Sequence, residues 1–321
     1  MKTAWRDRYG PPEILSVREV ADPAPGAGQI TVRVRATTVN RTDCGGLWGA
    51  PYIFRFFVGW PRPRHAATGT DFAGEVVAVG PGVTRFAVGD RVMGFDDTGV
   101  GSHAEQLCID AGEPIVAIPA GIDFETAAAS IEGAHYARNF MNKVELAAGD
   151  RVLVYGATGA IGSAAIPLLV DRGIEVTAVC AAPHLERVAA LGAARVVDYT
   201  AGSFVEQLRG EPFAHVLDAV GKSTVGECAP LIAKGGTYAS SELGPWGQNI
   251  WYALLGPLKP GPRVRFPVPK DIPASLALVA RLLAEGRFAP LVDRRYPLDE
   301  VADAFRYVAS GQKIGNVLLV P

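Results

Sequence analysis

Residues 30 to 36 read ITVRVRA, which sets Ile30, Val32, Val34 and Ala36 on one face and Thr31, Arg33 and Arg35 on the other. A period of two predicts a strand buried on one side. DFAGEVVAVGPGV (71 to 83) reads as a second strand closed by a Pro81-Gly82 turn, and GDRVMGF follows as another. Short strands punctuated by glycine and proline predict a compact barrel-like domain in the first third of the chain. From Asp150 the pattern changes. RVLVY, EVTAVC, ARVVDY, AHVLDAV and GGTYAS are short apolar runs, separated by the helix-like GSAAIPLLVDRG, HLERVAALG and GSFVEQLRG. Such alternation predicts an α/β domain, a doubly wound parallel sheet with helices on both faces. Beyond about residue 270, IPASLALVARLLAEGRF and EVADAFRYVASG read as amphipathic helices and NVLLVP as a strand. The least regular stretch is 244 to 270, dense in proline and glycine.

Length fits this two-part pattern: 321 residues, at roughly 100–200 per domain, give two domains. Composition is that of a soluble globular chain, 49% hydrophobic and 20% charged. A formal net charge of -2 gives no reason to expect a nucleic-acid or membrane-surface partner. No apolar run is long enough for a transmembrane helix, and MKTAWRDRYG has no signal-peptide core. Cys44, Cys108, Cys180 and Cys228 are far apart and form no metal-binding spacing. A reducing cytoplasm is the expectation.

The chemistry concentrates in VLVYGATGAIGSAAI, 152 to 166. A strand-like run ends in Gly156, Gly159 and Gly162, and a helix-like run follows. Glycines between a parallel strand and its helix let the backbone approach a pyrophosphate, which the helix N-terminus then attracts. The turn Gly156-Ala157-Thr158-Gly159-Ala160-Ile161-Gly162 therefore predicts a dinucleotide site. Pro167 should kink the helix. The second strand ends at Cys180, where an enzyme for NAD usually has an acid to bind the ribose diol. The missing acid favours NADP(H), and His184 and Arg187 in the next turn are candidates to hold its 2′-phosphate. The plainer reading is that Arg187 is a solvated helix residue and His184 only begins the helix.

These stretches resemble a known family. TTVNRTD (37 to 43), GTDFAGEVVAVGPGV (69 to 83), FAVGDRVMGF (86 to 95), GSHAEQ (101 to 106), YGATGAIGSAAI (155 to 166), LGAARVVDY (191 to 199), VLDAVG (216 to 221), GGTY (235 to 238) and GQKIGNVLLV (311 to 320) are similar, in order and spacing, to the zinc-independent medium-chain dehydrogenases/reductases of the quinone oxidoreductase and enoyl reductase branch. The resemblance covers nearly the whole chain. It implies a GroES-like β-barrel catalytic domain (1–120 and 270–321) and a Rossmann NADP(H)-binding domain (121–269), with the active site in the cleft between them and a homodimer as the usual assembly.

The resemblance also assigns residues. Tyr199 would flank the adenosine 2′-phosphate, beside His184. Ala219, Val220 and Gly221 would lie beside the nicotinamide, and Tyr238, Gly315 and Asn316 would form the far wall of the groove. Asn40 and Asp43 would stand at the nicotinamide end, Asn40 touching substrate or ribose and Asp43 bracing the loop. Tyr52 is a candidate proton or hydrogen-bond donor, and packing is its plainer role. His135 stands where relatives have a small hydroxyl residue; it is either a proton source near neutral pH or a buried helix histidine. His65 and His103 read as structural. The aromatic stretches 47 to 61 and 246 to 256, with Trp246, Trp251 and Tyr252, would cover a hydrophobic substrate or a subunit interface.

Zinc-dependent relatives carry a cysteine and later Gly-His-Glu. Here the first place reads Asp43-Cys44-Gly45 and the second Gly69-Thr70-Asp71, so no metal is expected. Without a Lewis acid, reduction of an activated acceptor is favoured over alcohol oxidation. The expected activity is hydride transfer from NADPH to a quinone or an α,β-unsaturated carbonyl. Two alternatives stand: a zinc-free carbonyl or alcohol dehydrogenase, and an NADPH-binding protein with a structural or interaction role and no turnover.

Overall fold

The computed structural model describes residues 1–50, 55–241, 244, 247–255, 261–267 and 269–321. The strands in chain order are β1 (Lys2–Trp5), β2 (Ser16–Glu19), β3 (Gln29–Val39), β4 (Asp71–Val79), β5 (Arg91–Phe95), β6 (Gln106–Asp110) and β7 (Ile115–Ala117). There follow β8 (Arg151–Tyr155), β9 (Glu175–Cys180), β10 (Arg195–Asp198), β11 (Phe213–Asp218), β12 (Ile232–Ser240) and β13 (Arg263–Arg265). The last two are β14 (Val292–Pro297) and β15 (Asn316–Val320). The chain divides into two compact units. One comprises Met1–Glu132, Ile272–Gly286 and Val292–Pro321, the other Gly133–Asp271 and Arg287–Leu291.

In the first unit a seven-stranded sheet runs β14-β15-β3-β4-β5-β7, with β6 pairing β3, and β1 and β2 form a separate antiparallel pair. The sheet is antiparallel except where β14 meets β15. β3 organises it. Ile30, Val32, Val34 and Ala36 are buried as their alternation predicts, and Arg33 and Arg35 reach solvent. The alternation fails at Thr31, which is also buried. It fails again from Thr37 to Val39, all buried, where β15 pairs with β3 through Val317↔Val39, Leu318↔Thr38 and Leu319↔Thr37. That end of the strand is covered on both faces, so its polar residues turn inward and need partners.

The second unit is the doubly wound sheet that the apolar runs predict. Its six strands are all parallel, in the order β10-β9-β8-β11-β12-β13. The order reverses beside β8, which is the switch point where such sheets bind dinucleotides. Val152, Leu153 and Val154 in β8 are all fully buried, as strands covered on both faces require. The helix Ala160–Val170 continues through Pro167.

Candidate functional site

The glycine turn follows β8 directly. Gly156 has φ +79°, and a Cβ there would lie 2.7 Å from Val220 Cγ1. A Cβ on Gly162 would lie 2.2 Å from the Gly156 carbonyl oxygen. Both positions therefore need glycine, one for conformation and one for the close approach of helix to strand. The helix begins after Gly159 and no side chain caps it. Its first-turn N–H groups are thus left for an anion, and the turn fits a pyrophosphate. Ala157 and Ala160 are buried and Thr158 and Ile161 half-buried along it. Ala157 N donates to Val179 O at 3.2 Å, tying the turn to β9.

The loop after β11 lies against this turn through Val220. Asp218, fully buried, accepts from the N–H groups of Val220 (3.1 Å), Gly221 (2.7 Å) and Ser223 (3.0 Å), and from the Ser223 hydroxyl (2.8 Å). Ala219 N donates to Tyr155 O at 3.0 Å. Tyr238 differs from its expected role as groove wall. It is 0% exposed, and its hydroxyl donates to Asp218 at 2.9 Å, so it supports the 219–223 loop from beneath.

At the end of β9, Cys180 is buried and burial pushes its thiol up to about 11, so it is uncharged. His184 is half-buried at the start of the helix Leu185–Ala189, and Arg187 and Tyr199 are exposed. One feature escaped the sequence reading. Asp198, paired with Cys180 in the β9–β10 register, places a carboxylate at the same strand ends. Hydrogen bonds from Thr200, first its hydroxyl (2.6 Å) and then its N–H (2.8 Å), hold it below the usual carboxylate range.

His135 is buried, which disfavours a proton source near neutral pH. Burial, and then Arg138, push it down to about 4, leaving the ring neutral. Its carbonyl accepts from Asn139 Nδ2 at 2.8 Å, and its ring lies edge-on to Tyr136. Burial and these contacts favour the helix-histidine reading.

In the first unit Asn40 and Asp43 are buried together at the start of the helix Arg41–Trp48. Asp43 accepts from Asn40 N at 2.8 Å, the loop brace. Asn40 Nδ2 donates to Thr38 Oγ1 and, at 3.4 Å, to Asp71 Oδ2. Asp71 is 0% exposed and accepts from Thr38 N (2.7 Å), Thr37 Oγ1 (3.1 Å) and Thr38 Oγ1. His103 completes the support. Thr38 O accepts from its Nε2 at 2.9 Å and its Nδ1 accepts from Thr68 Oγ1 at 2.8 Å, in a neutral ring that burial holds at about 4. His65 is exposed.

Two residues of this cluster were not read from the sequence, Glu132 and Lys313. Glu132 is 6% exposed; its Oε1 accepts from Thr42 Oγ1 at 2.6 Å and its Oε2 has no partner. Burial first, then Asp43 and Asp71, raise it well above the ordinary glutamate range. Asp43 is raised to about 8 by burial and Asp71, and Asp71 to about 6 by burial. Lys313 donates to Gly315 O at 2.8 Å, and burial lowers its pKa against the pull of Glu132. The signal for Glu132 was present: it is a single acid inside the apolar run TAAASIEGAHYA.

The cluster does not fit a zinc site. Cys44, the residue matched above to the zinc cysteine, instead directs its thiol to Phe305 O (3.8 Å) in the hydrophobic core. The residue beside Asp71 is Asn40. Among the described residues no group of three or more His, Cys, Asp or Glu is placed to hold a metal ion. Tyr52 and Trp246 lie outside the described residues. Gly315, at φ +79°, leads into β15, where Asn316 is 3% exposed. Of the aromatic stretches, Phe56 and Trp60 stack at 5.8 Å, and Trp251 and Tyr252 are exposed on the helix Gln248–Leu255.

A Rossmann sheet with an uncapped glycine turn, in one chain with a GroES-like sheet, defines a nicotinamide-dependent dehydrogenase or reductase. Comparison with known proteins agrees. Residues 26–121 match the family described as alcohol dehydrogenase GroES-like domain, and residues 191–319 that described as zinc-binding dehydrogenase. A quinone oxidoreductase of Pseudomonas aeruginosa is 30% identical over 98% of this chain and 97% of its own length. A mycocerosic acid synthase-like polyketide synthase of Mycolicibacterium smegmatis is 31% identical over 92% of this chain, which spans only 14% of that relative. The structure of Escherichia coli quinone oxidoreductase complexed with NADPH superposes with a TM-score of 0.81 at 23% identity, over 100% of both chains. The chain belongs to the medium-chain dehydrogenase/reductase family, in its zinc-independent, quinone oxidoreductase-like branch. Among the described residues no helix is long and apolar enough to cross a membrane.

Proposed function

We propose that this protein reduces a quinone or an α,β-unsaturated carbonyl with NADPH, without a metal. The observation that carries the reading is the contrast between the two units: one has an uncapped glycine turn built for a pyrophosphate, the other a buried polar cluster whose donors are amide, hydroxyl and carboxyl groups. The names of the quinone oxidoreductase relatives support the acceptor class, and NADPH in the Escherichia coli complex supports the cofactor.

When bound, the cofactor supplies a hydride. The residues hold and orient. The Gly156–Gly162 turn takes the pyrophosphate on backbone N–H groups. Asp218 fixes the Ala219–Gly221 loop for the nicotinamide end. His184, Arg187 and Tyr199 receive the 2′-phosphate, with the uncharged Cys180 offering no repulsion. Asn40, held by Asp71 and Asp43, offers an amide to the acceptor. A homodimer is part of the proposal: Trp251, Tyr252 and Leu254 leave an exposed apolar surface on the helix Gln248–Leu255, beside the edge strand β13.

The test is NADPH oxidation by metal-stripped protein with a benzoquinone, a naphthoquinone, an enone, an enal and a simple ketone, each repeated with NADH. Turnover of quinones or enones, faster with NADPH, is expected. Activity confined to simple ketones, or returning only with added zinc, rejects the reading.

A further inference from the structure

Glu132 is a buried acid that the reading above leaves without a task. One oxygen is occupied by Thr42, and the other, Oε2, has no partner. A buried unpaired carboxyl oxygen costs about 1–3 kcal/mol, and such groups in native proteins call for an explanation. Thr70, next to Asp71 and 5% exposed, carries a second unpaired oxygen, Oγ1.

We propose that Glu132 is a proton-donating site: its Oε2 gives a hydrogen bond, and then the proton, to the oxygen of the acceptor. This rests on the reduction reading. The bond that breaks is the Glu132 O–H and the bond that forms is O–H on the acceptor oxygen. The two electrons arrive with the hydride from the nicotinamide, and water returns a proton to Glu132. The product is a hydroquinone, or an enol that tautomerises to the saturated carbonyl. The groups around Glu132 suit a carboxyl that starts neutral and ends charged. Asp43 and Asp71 oppose its ionisation, Thr42 and Lys313 favour it, and Lys313 is in turn influenced by Cys44, Asp293 and Arg41. Burial keeps the proton in place at rest, and Lys313 steadies the carboxylate once the proton has left.

The test uses the full chain with NADPH and whichever quinone and enone the wild type reduces. Glu132→Gln keeps the size, the neutral charge and a hydrogen-bond donor but has no proton to give. Its kcat should fall about 10²-fold, with NADPH affinity unchanged. The loss of wild-type kcat at alkaline pH, where Glu132 ionises, should vanish in the variant. A readout without turnover is the infrared carboxylic-acid C=O absorption of the protein near neutral pH, which should lose one component in Glu132→Gln while the component from the neutral Asp43 remains. If that variant fails to fold, Thr42→Val removes the donor to Oε1 and should shift both the band and the alkaline limb upward. An active wild type with an unchanged Glu132→Gln, a Glu132 already ionised at neutral pH, or a Thr42→Val that moves neither signal overturns the donor role alone. A wild type that binds NADPH and reduces no acceptor overturns the reduction reading as well.

Discussion

The Tyr238 hydroxyl donates to Asp218 Oδ2 at 2.9 Å, and both residues are 0% exposed. Asp218 spends its other hydrogen bonds on the loop from Val220 to Ser223, so the phenol stabilises the charge that shapes that loop. Tyr238→Phe should lower stability by about 2 kcal/mol, the scale for a hydrogen bond to a charged group. Urea unfolding of the variant checks this, and cofactor titration should show weaker binding with it.

Gly162→Ala brings a methyl group within 2.2 Å of the Gly156 carbonyl oxygen, a backbone atom with no rotamer to change. The helix must move off the strand end, and the N–H groups move with it. NADPH affinity measured by nicotinamide fluorescence should fall at least about tenfold, roughly 1.4 kcal/mol. Gly226→Ala, where a Cβ meets nothing within 4 Å, is the control that should bind normally.

Cofactor choice tests two residues of opposite sign. Arg187→Ala should raise the KM for NADPH about tenfold, the loss of one charge-assisted contact, and leave NADH unaffected. Asp198→Asn removes the carboxylate at the ends of β9 and β10 and should raise the preference for NADPH. The ratio of kcat/KM for the two cofactors is the measurement, and an unchanged ratio in both variants places the 2′-phosphate elsewhere.

The part of the stability that rests on Asp43 and Asp71 should fall as pH rises, and it dominates above about 6.5, where the buried neutral His103 and His135 no longer oppose it. Asp43 and Asp71 are raised from 3.8 to about 8 and about 6 in the folded protein. Below about 4 the carboxyls are protonated in folded and unfolded chains alike, so their contribution is fully present. As pH rises the unfolded chain ionises first, and the contribution is lost by the folded values. Asp43→Asn keeps an acceptor for Asn40 N and should flatten the upper part of this decline, compared by urea unfolding at about pH 5 and about pH 8.

How far the sequence reached depends on where the physical signal is local. The parallel sheet announced itself because β8 to β11 are short apolar runs separated by helical spacing, and the glycine turn because steric need restricts Gly156 and Gly162 to one residue type. The family motifs singled out Asn40 and Asp43 by position, and the structure buries the two together. What distance in sequence conceals was not legible. Thr42 meets Glu132 across 90 positions, and Lys313 joins them only when the strand β15 returns to β3. Cys44 falls at the place of the zinc cysteine in the family motif, where no metal was expected, and its thiol is directed to Phe305 O. His135 stood open between a proton source and a buried helix histidine, because the burial that pushes it down to about 4 is not visible in its neighbours along the chain.

The pairing of β15 with β3 also governs the order of assembly during synthesis. Val39 waits for Val317, and Thr37 for Leu319, which at about 5–20 residues per second leaves the Thr37–Val39 end of β3 with an open edge on the ribosome for roughly 15–60 seconds. The parallel sheet, by contrast, has all its strands in hand once β13 has emerged. The parallel-sheet unit can therefore be finished while the first unit still lacks its last strand. Codon choice or a chaperone acting late in translation should affect yield through that open edge.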